Sequence, residues 1–262
     1  MKRHLNGILV LDKPAGISAN KALQRVKSLL RAAKAGHAGT LDPLATGVLP
    51  ICLGEATKVS RFLLGADKAY RFTMRLGVTT TSADADGDEL ERRAVPELTE
   101  RGVAEVLRGF AGPQTQIPPM HSAIKVNGTP LYKLARRGLE IEREPREITV
   151  YEIALLALRP QSDELEVEVS CSKGTYIRTL AADIGETLGC GAHVTQLRRV
   201  RAGDLAENDA VSMEQVTAAA DDPDLLADLL LPLDRAMSQI PKVPLARGKV
   251  DLMRQGRSID AL

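Results

Sequence analysis

Gly36-His37-Ala38-Gly39-Thr40-Leu41-Asp42-Pro43-Leu44-Ala45-Thr46-Gly47 is the stretch from which the rest of the chain is read. It holds one acid, Asp42, between two leucines and in front of a proline. Pro43 biases Asp42 toward extended or turn geometry, so Asp42 is expected outside a helix. Leu41 and Leu44 predict a loop that packs down rather than projecting into solvent. A carboxylate held in such a loop can be a site, but Asp-Pro is also ordinary turn chemistry. The pattern of this stretch leaves both readings open.

Working outward, Gly7-Ile-Leu-Val-Leu11 reads as a buried strand that ends in the turn Asp12-Lys13-Pro14-Ala15-Gly16. Ser18 is placed to cap a helix running to about Lys34, with Ala22, Leu23, Val26, Leu29, Leu30 and Ala33 as its apolar stripe. Residues 47–53 read as a strand, and Pro50 argues for an edge or a bulge. A short helix is expected over 55–64. Tyr70-Arg-Phe-Thr-Met-Arg-Leu76 alternates as a half-buried strand does, with Phe72, Met74 and Leu76 inward and Arg71, Thr73 and Arg75 outward. The acidic run 79–88 resembles a calcium loop at first sight. Glu89 stands where that loop needs glycine, and no bidentate Glu follows at the right distance, so calcium is rejected. Thr99 starts a helix with Val103, Val106, Leu107 and Phe110 on one face.

Residues 112–128 read as loop, with Pro113, Pro118, Pro119 and Gly128. A short basic helix then starts at Pro130 and ends at Gly138. A basic helix between loops suits an inserted binding element better than a core piece. Strands are expected at 147–158 and 165–171. Ser172 to Thr175 is a strand-to-helix turn, and Tyr176 and Arg178 sit in the first turn of the helix that follows. Residues 193–202 read as a strand carrying arginines. Two helices are expected in 204–234, one of them started by a Ser212/Gln215 capping box. Strands and helices interleave with several antiparallel neighbours, which predicts an α+β domain on a mixed sheet.

Composition bounds the function classes. At 262 residues, 44% hydrophobic and 26% charged, the chain can bury one large core and has no apolar run of membrane-spanning length. Cys52, Cys171 and Cys190 form no Cys-x-x-Cys pair, which argues against zinc and a disulfide framework and for a reducing, cytosolic compartment. The net charge of +1 conceals segregation. Residues 1–37 carry eight Lys/Arg and one acid, and residues 120–137 carry Lys125, Lys133, Arg136 and Arg137 with no acid. Residues 193–203 add Arg198, Arg199 and Arg201, whereas residues 204–234 carry nine acids and no Lys or Arg. Basic segments meeting on one face would hold a polyanion; solvated helix faces are the alternative. With no Trp, three Phe and four Tyr, any stacking on bases must come from one or two chosen residues.

Four motifs in order resemble the TruB-type tRNA pseudouridine synthases: Leu11-Asp12-Lys13-Pro14-Ala15-Gly16; Gly36 to Gly47; Lys68-Ala69-Tyr70; and Cys171-Ser172-Lys173-Gly174-Thr175-Tyr176-Ile177-Arg178. The similarity runs from about residue 6 to 235, and Gly39 to Gly47 is its most specific part. The resemblance implies the pseudouridine synthase fold: a mixed, mainly antiparallel central sheet flanked by helices, with an inserted RNA-gripping loop and helix over about 113–146. It implies a catalytic domain over 1–235, with 236–262 as a stub of a C-terminal RNA-binding domain that is truncated or absent. The implied activity is isomerisation of uridine to pseudouridine at position 55 in the T-loop of tRNA, after base flipping. Another RNA target, or a tRNA-folding chaperone role, is the alternative. The reaction is neither redox nor phosphate-consuming, so no cofactor or metal is implied.

By the same resemblance Asp42 is the catalytic aspartate and Arg178 its partner, expected to lower the Asp42 pKa by about 1–3 units. Asp84 is expected to hold Arg178 from its other side. Tyr70 would stack on the uracil and is the candidate to take the C5 proton. His37 would fill the space left by the flipped base, and Lys13 and Tyr176 would shape the pocket. Lys125, Lys133, Arg136 and Arg137 would grip tRNA. A cytoplasmic monomer with no obligatory protein partner and no membrane attachment is expected.

Overall fold

A computed structural model describes residues 1–259; the last three residues of the expected C-terminal stub lie outside the described residues. The first apolar run forms β1 (Gly7–Lys13). In α1 (Ala19–Leu29) the Ser18 hydroxyl accepts from the Lys21 N–H at 3.2 Å, satisfying one of the free donors of the first turn. The helix buries Ala19, Ala22, Leu23 and Val26. It stops short of Lys34 because Arg31 adopts a left-handed backbone (φ 50) that leads into β2 (Ala35–His37). β3 (Thr46–Leu53) follows the Asp42 loop. A 3-10 turn at Gly54–Lys58 and α2 (Ser60–Gly65) replace the single helix expected there. In β4 (Lys68–Leu76) Phe72, Met74 and Leu76 are buried as the alternation requires; Thr73, expected outward, is buried as well.

The acidic run 79–88 folds into a small ribbon of β5 (Val78–Thr80) and β6 (Glu89–Arg92). Thr99 caps α3 (Glu100–Arg108). Residues 112–116, expected as loop, are instead β7 (Gly112–Gln116), the outer strand of the sheet, where Pro113 costs no ladder bond on the open side. The hairpin β8 (Lys125–Val126) and β9 (Thr129–Pro130) and the short α4 (Leu131–Ala135) make up the inserted arm. The chain continues through β10 (Arg146–Arg159), β11 (Glu164–Cys171), α5 (Ile177–Thr187), β12 (Ala192–Ala202) and β13 (Leu205–Ala206). It continues with α6 (Met213–Ala219), α7 (Pro223–Asp228) and α8 (Arg247–Arg254), and the Ser212/Gln215 capping box is formed.

The main sheet runs β1-β3-β12-β4-β11-β10-β7, with β2 on β3 and β13 on β12. Every pair is antiparallel except β12 on β3, which is parallel through Arg198↔Thr46 and Arg199↔Gly47. This is the expected α+β architecture, a mixed, mainly antiparallel sheet with flanking helices. β3 is an interior strand, so the edge expected from Pro50 is not found. Pro50 directs its carbonyl to the Ala38 N–H, on the side where the short β2 has already ended, and its missing donor breaks no pair there. Leu9, Leu49, Ile51, Met74, Val167, Ile184 and Val194 are fully inside the core; each such side chain contributes about 1.5–3 kcal/mol by leaving water.

The segregated charges meet in space. Arg31 pairs with Asp221 at 2.9 Å and Arg3 donates to the Ala220 carbonyl at 2.6 Å. Arg198 binds Asp12 through two N–H groups, at 2.9 and 3.1 Å, and also Glu207. Arg31 and Arg198 are therefore answered by acids of the 204–234 segment, and Arg3 by one of its carbonyls. The arm differs: Lys125, Lys133, Arg136 and Arg137 are all exposed.

Candidate active site

The parallel pairing of β12 with β3 sets the Asp42 loop against the middle of the sheet. Gly47, paired with Arg199, takes φ +95, and a Cβ there would fall 2.2 Å from the Arg199 carbonyl oxygen. Only glycine lets the loop rejoin the sheet so closely. The Asp42 carbonyl accepts from the Ala45 N–H at 3.1 Å, and Leu41 and Ala45 are buried beneath it. Asp42 is thus in a turn and at a site at once.

Arg178, in the first turn of α5 and 4% exposed, reaches Asp42 Oδ2 with Nε at 2.9 Å. The same Nε lies 3.5 Å from Asp84 Oδ2. Its Nη1 donates to the Ser82 carbonyl at 2.7 Å and its Nη2 to the His121 carbonyl at 2.6 Å, so the guanidinium is held from four directions. Asp84 is fixed in turn by the Ser82 hydroxyl and by the Asp86 N–H at 3.1 Å. The His121 contact also ties the inserted arm to this arginine. At the arm's base, the buried Gln116 carboxamide accepts from the Tyr176 N–H at 2.8 Å and donates to the Tyr176 carbonyl at 3.0 Å.

Asp42, Tyr70, Tyr176 and Arg178 line one cavity of about 220 Å³, together with Lys68, Leu197 and Arg199. A larger open groove of about 700 Å³ begins on the other side of Pro43 and Leu44 and runs along Phe72, Thr73 and Gln196. Lys13, His37 and Asp84 do not line the small cavity. Lys13 is 0% exposed and lies under the loop, where Nζ donates to the Pro14, Ile17 and Pro43 carbonyls at 2.8, 2.6 and 3.4 Å. His37 ends β2, just before the loop, and its Nδ1 is buried without a partner. Lys125, Lys133, Arg136 and Arg137 stand on the arm, away from the cavity; Arg136 lies over the Tyr132 ring at 5.7 Å from its centre.

The electrostatics correct one expectation. Burial raises the Asp42 carboxyl above its ordinary value; the Arg178 charge opposes this, and Asp84 adds to the rise. The arginine limits the shift rather than reversing it, because the carboxylate loses more hydration in the cavity wall than one partner restores. Burial also raises the Tyr70 hydroxyl, against the neighbouring Arg199 charge. Burial lowers Lys13 to about 8, with Asp42 opposing and Arg199 adding to it, and lowers His37, again with help from Arg199.

Sequence reasoning missed three polar residues that build this site. Arg199 is 1% exposed and donates to the Gly39 and Thr40 carbonyls of the loop and to the Val48 carbonyl of β3. Lys68 is buried and donates to the Leu63, Leu64 and Ala66 carbonyls at the end of α2; burial lowers it to about 8. Gln116 sat in a segment read as loop. Among the described residues no cluster of His, Cys, Asp and Glu has metal-binding geometry, and no helix is long and apolar enough to cross a membrane.

A carboxylate, an arginine and a tyrosine thus meet at one cavity in the middle of the mixed sheet. The crystal structure of a Cbf5-Nop10-Gar1 complex superposes on the chain with TM-score 0.75 at 30% identity, covering 95% of this chain and 67% of that one. An H/ACA RNP bound to a substrate RNA containing 2'-deoxyuridine does so with TM-score 0.74 at 26% identity, covering 97% and 67%. The TruB family pseudouridylate synthase N-terminal domain matches residues 27–177, and the tRNA pseudouridylate synthase B C-terminal domain matches residues 178–238. The tRNA pseudouridine synthase B of Nitrosococcus oceani is 54% identical over 256 residues, 97% of this chain and 82% of that protein. The chain belongs to the TruB family of pseudouridylate synthases.

Proposed function

We propose that the chain isomerises uridine to pseudouridine at position 55 in the T-loop of tRNA, with Asp42 as the essential carboxylate. The observation that carries this reading is the Asp42–Arg178–Asp84 assembly beside Tyr70 in a base-sized cavity, in a chain of this family. The N1–C1′ bond breaks, the uracil turns, and a C5–C1′ bond forms; N1 gains a proton and C5 loses one. Redox state is conserved and no phosphate is spent, so the step calls on no cofactor. Flipping the uridine out of folded RNA costs a few kcal/mol. Stacking on Tyr70 returns about 1–3 kcal/mol of that. Tyr70 also relays the C5 proton, accepting it as its own hydroxyl proton passes on, because burial keeps that hydroxyl protonated; Arg178 favours the ionised form of Asp42 and aims one of its oxygens, and Asp84 holds Arg178. His37, Lys13 and Tyr176 shape the approach. Residues 1–235 act as the catalytic domain, with the arm over about 113–146 gripping tRNA through Lys125, Lys133, Arg136 and Arg137. The protein works as a cytoplasmic monomer.

The test is tritium release from C5-labelled uridine across a panel of tRNA and rRNA fragments. Wild type is expected to release tritium from fragments carrying the T-arm, and Asp42→Asn to release none while binding tRNA with nearly unchanged affinity. Full turnover by Asp42→Asn would overturn the assignment. Wild type that binds and never turns over would replace it with a chaperone role, which the exposed basic arm also fits.

A further inference from the structure

Arg199 is a buried cation to which the chemistry above gives no role. Among the described residues no carboxylate oxygen lies within 4.0 Å of it; backbone carbonyls take its N–H groups, and its charge also neighbours the Tyr70 hydroxyl. Nη2 donates to the Gly39 carbonyl at 3.2 Å and Nη1 to the Thr40 carbonyl at 3.3 Å, both just before Asp42. Nε donates to the Val48 carbonyl at 2.7 Å, just after the loop. The backbone of the same residue pairs with Gly47. One residue of β12 therefore grips both ends of the segment that carries Asp42.

We propose that Arg199 is a positioning residue for the isomerisation, stapling residues 39–48 so that the Asp42 carboxylate stands against the cavity opposite Tyr70. The proposal rests on the reading of Asp42 given above. The planar fork of arginine is what the geometry demands, because its N–H donors diverge at fixed angles toward carbonyls on two sides. A lysine keeps the charge but presents one compact ammonium, which cannot span Gly39, Thr40 and Val48 together. Released at one end, the loop would let Asp42 drift while the cavity walls, built from α5 and β4, stay in place. A misplacement of about 1 Å at a reacting group costs on the order of 100-fold in rate.

The test is Arg199→Lys in the full chain, assayed for single-turnover tritium release at saturating tRNA, for tRNA Kd and for thermal stability. The expected result is a folded protein whose single-turnover rate falls about 100-fold while Kd changes less than about threefold. The pH dependence should keep its wild-type midpoint, because the charge is retained. Gly39→Ala perturbs the same contact, since a Cβ there would sit 3.2 Å from Arg199 Nη1, and the backbone strain it adds at φ +101 is common to both backgrounds and cancels in a double-mutant cycle. It should slow wild type more than it slows Arg199→Lys, a non-additive cycle. A wild-type rate per folded molecule in Arg199→Lys, or an additive cycle, would overturn the proposal. If Arg199→Lys does not fold, Arg199→Gln decides: slower turnover at unchanged Kd supports the staple, and a wild-type rate per folded molecule refutes it. Full turnover by Asp42→Asn would instead strike the underlying reading, whatever Arg199 does.

Discussion

Replacing Arg178 with methionine is the perturbation whose consequences the structure fixes most closely. Asp42 is already pushed up by burial, and Arg178 is the largest influence opposing that rise. An opposite charge in contact shifts a carboxyl pKa by about 1–3 units. The Asp42 side chain is 35% exposed, so solvent screens part of this. Losing the cation should therefore raise the Asp42 pKa further. The acid limb of the pH–rate profile should move to higher pH, and the deficit relative to wild type should be deeper in acid than in base. Removing one partner of a buried pair also costs about 3–5 kcal/mol of stability, so each measurement is normalised to folded protein by thermal melts. The assay is single-turnover tritium release from C5-labelled T-arm RNA between pH 5 and 9, with Arg178→Lys as the charge-retaining control. An acid limb that does not move in Arg178→Met would refute the claim that this arginine sets the ionisation of Asp42.

Two further expectations follow from the same geometry. Lys13 has its folded pKa lowered to about 8, below the ~10.4 of an unfolded lysine. Between those values the unfolded chain binds more protons than the fold, so this lysine's contribution to stability grows as pH rises from about 8 to about 10. Unfolding free energies should show wild type gaining on Lys13→Met across that window; a difference that stays flat or falls would contradict the burial argument. On the arm, Arg136 and Arg137 are exposed and unpaired with acid among the described residues. Replacing both with glutamine should weaken tRNA binding and reduce the slope of log K against log salt by roughly 1.4–1.8. An unchanged slope would remove them from the RNA contact.

The parts of the molecule with simple periodicity were legible in the sequence. The alternation of β4, the Ser18 and Thr99 caps and the Ser212/Gln215 capping box are local patterns, and local physics forms them. Asp42, Tyr70 and Arg178 were legible through motif resemblance, and only the fold brings them to one cavity. Arg199 was hidden by a phase change. A β-bulge between Val194 and Gln196 shifts the inward face of β12 from Val194 to Leu197 and Arg199, so a strict two-residue alternation points the wrong side chains inward. Leu197 two residues before it was the available signal. Lys68 and Gln116 were hidden because their partners are carbonyls and N–H groups of distant backbone, which no side-chain pattern records. The net ionisation of Asp42 was misjudged for a related reason: the partner was visible in the sequence, and the loss of hydration was not.

Mapping where the enzyme leaves pseudouridine decides whether Asp42 carries the isomerisation at position 55. Unmodified tRNA is incubated with wild type or Asp42→Asn and read by primer extension after pseudouridine-selective carbodiimide treatment. One new stop, reporting modification at position 55 of the T-loop, is expected with wild type and none with Asp42→Asn. A stop at another site, or the same stop with Asp42→Asn, would contradict it.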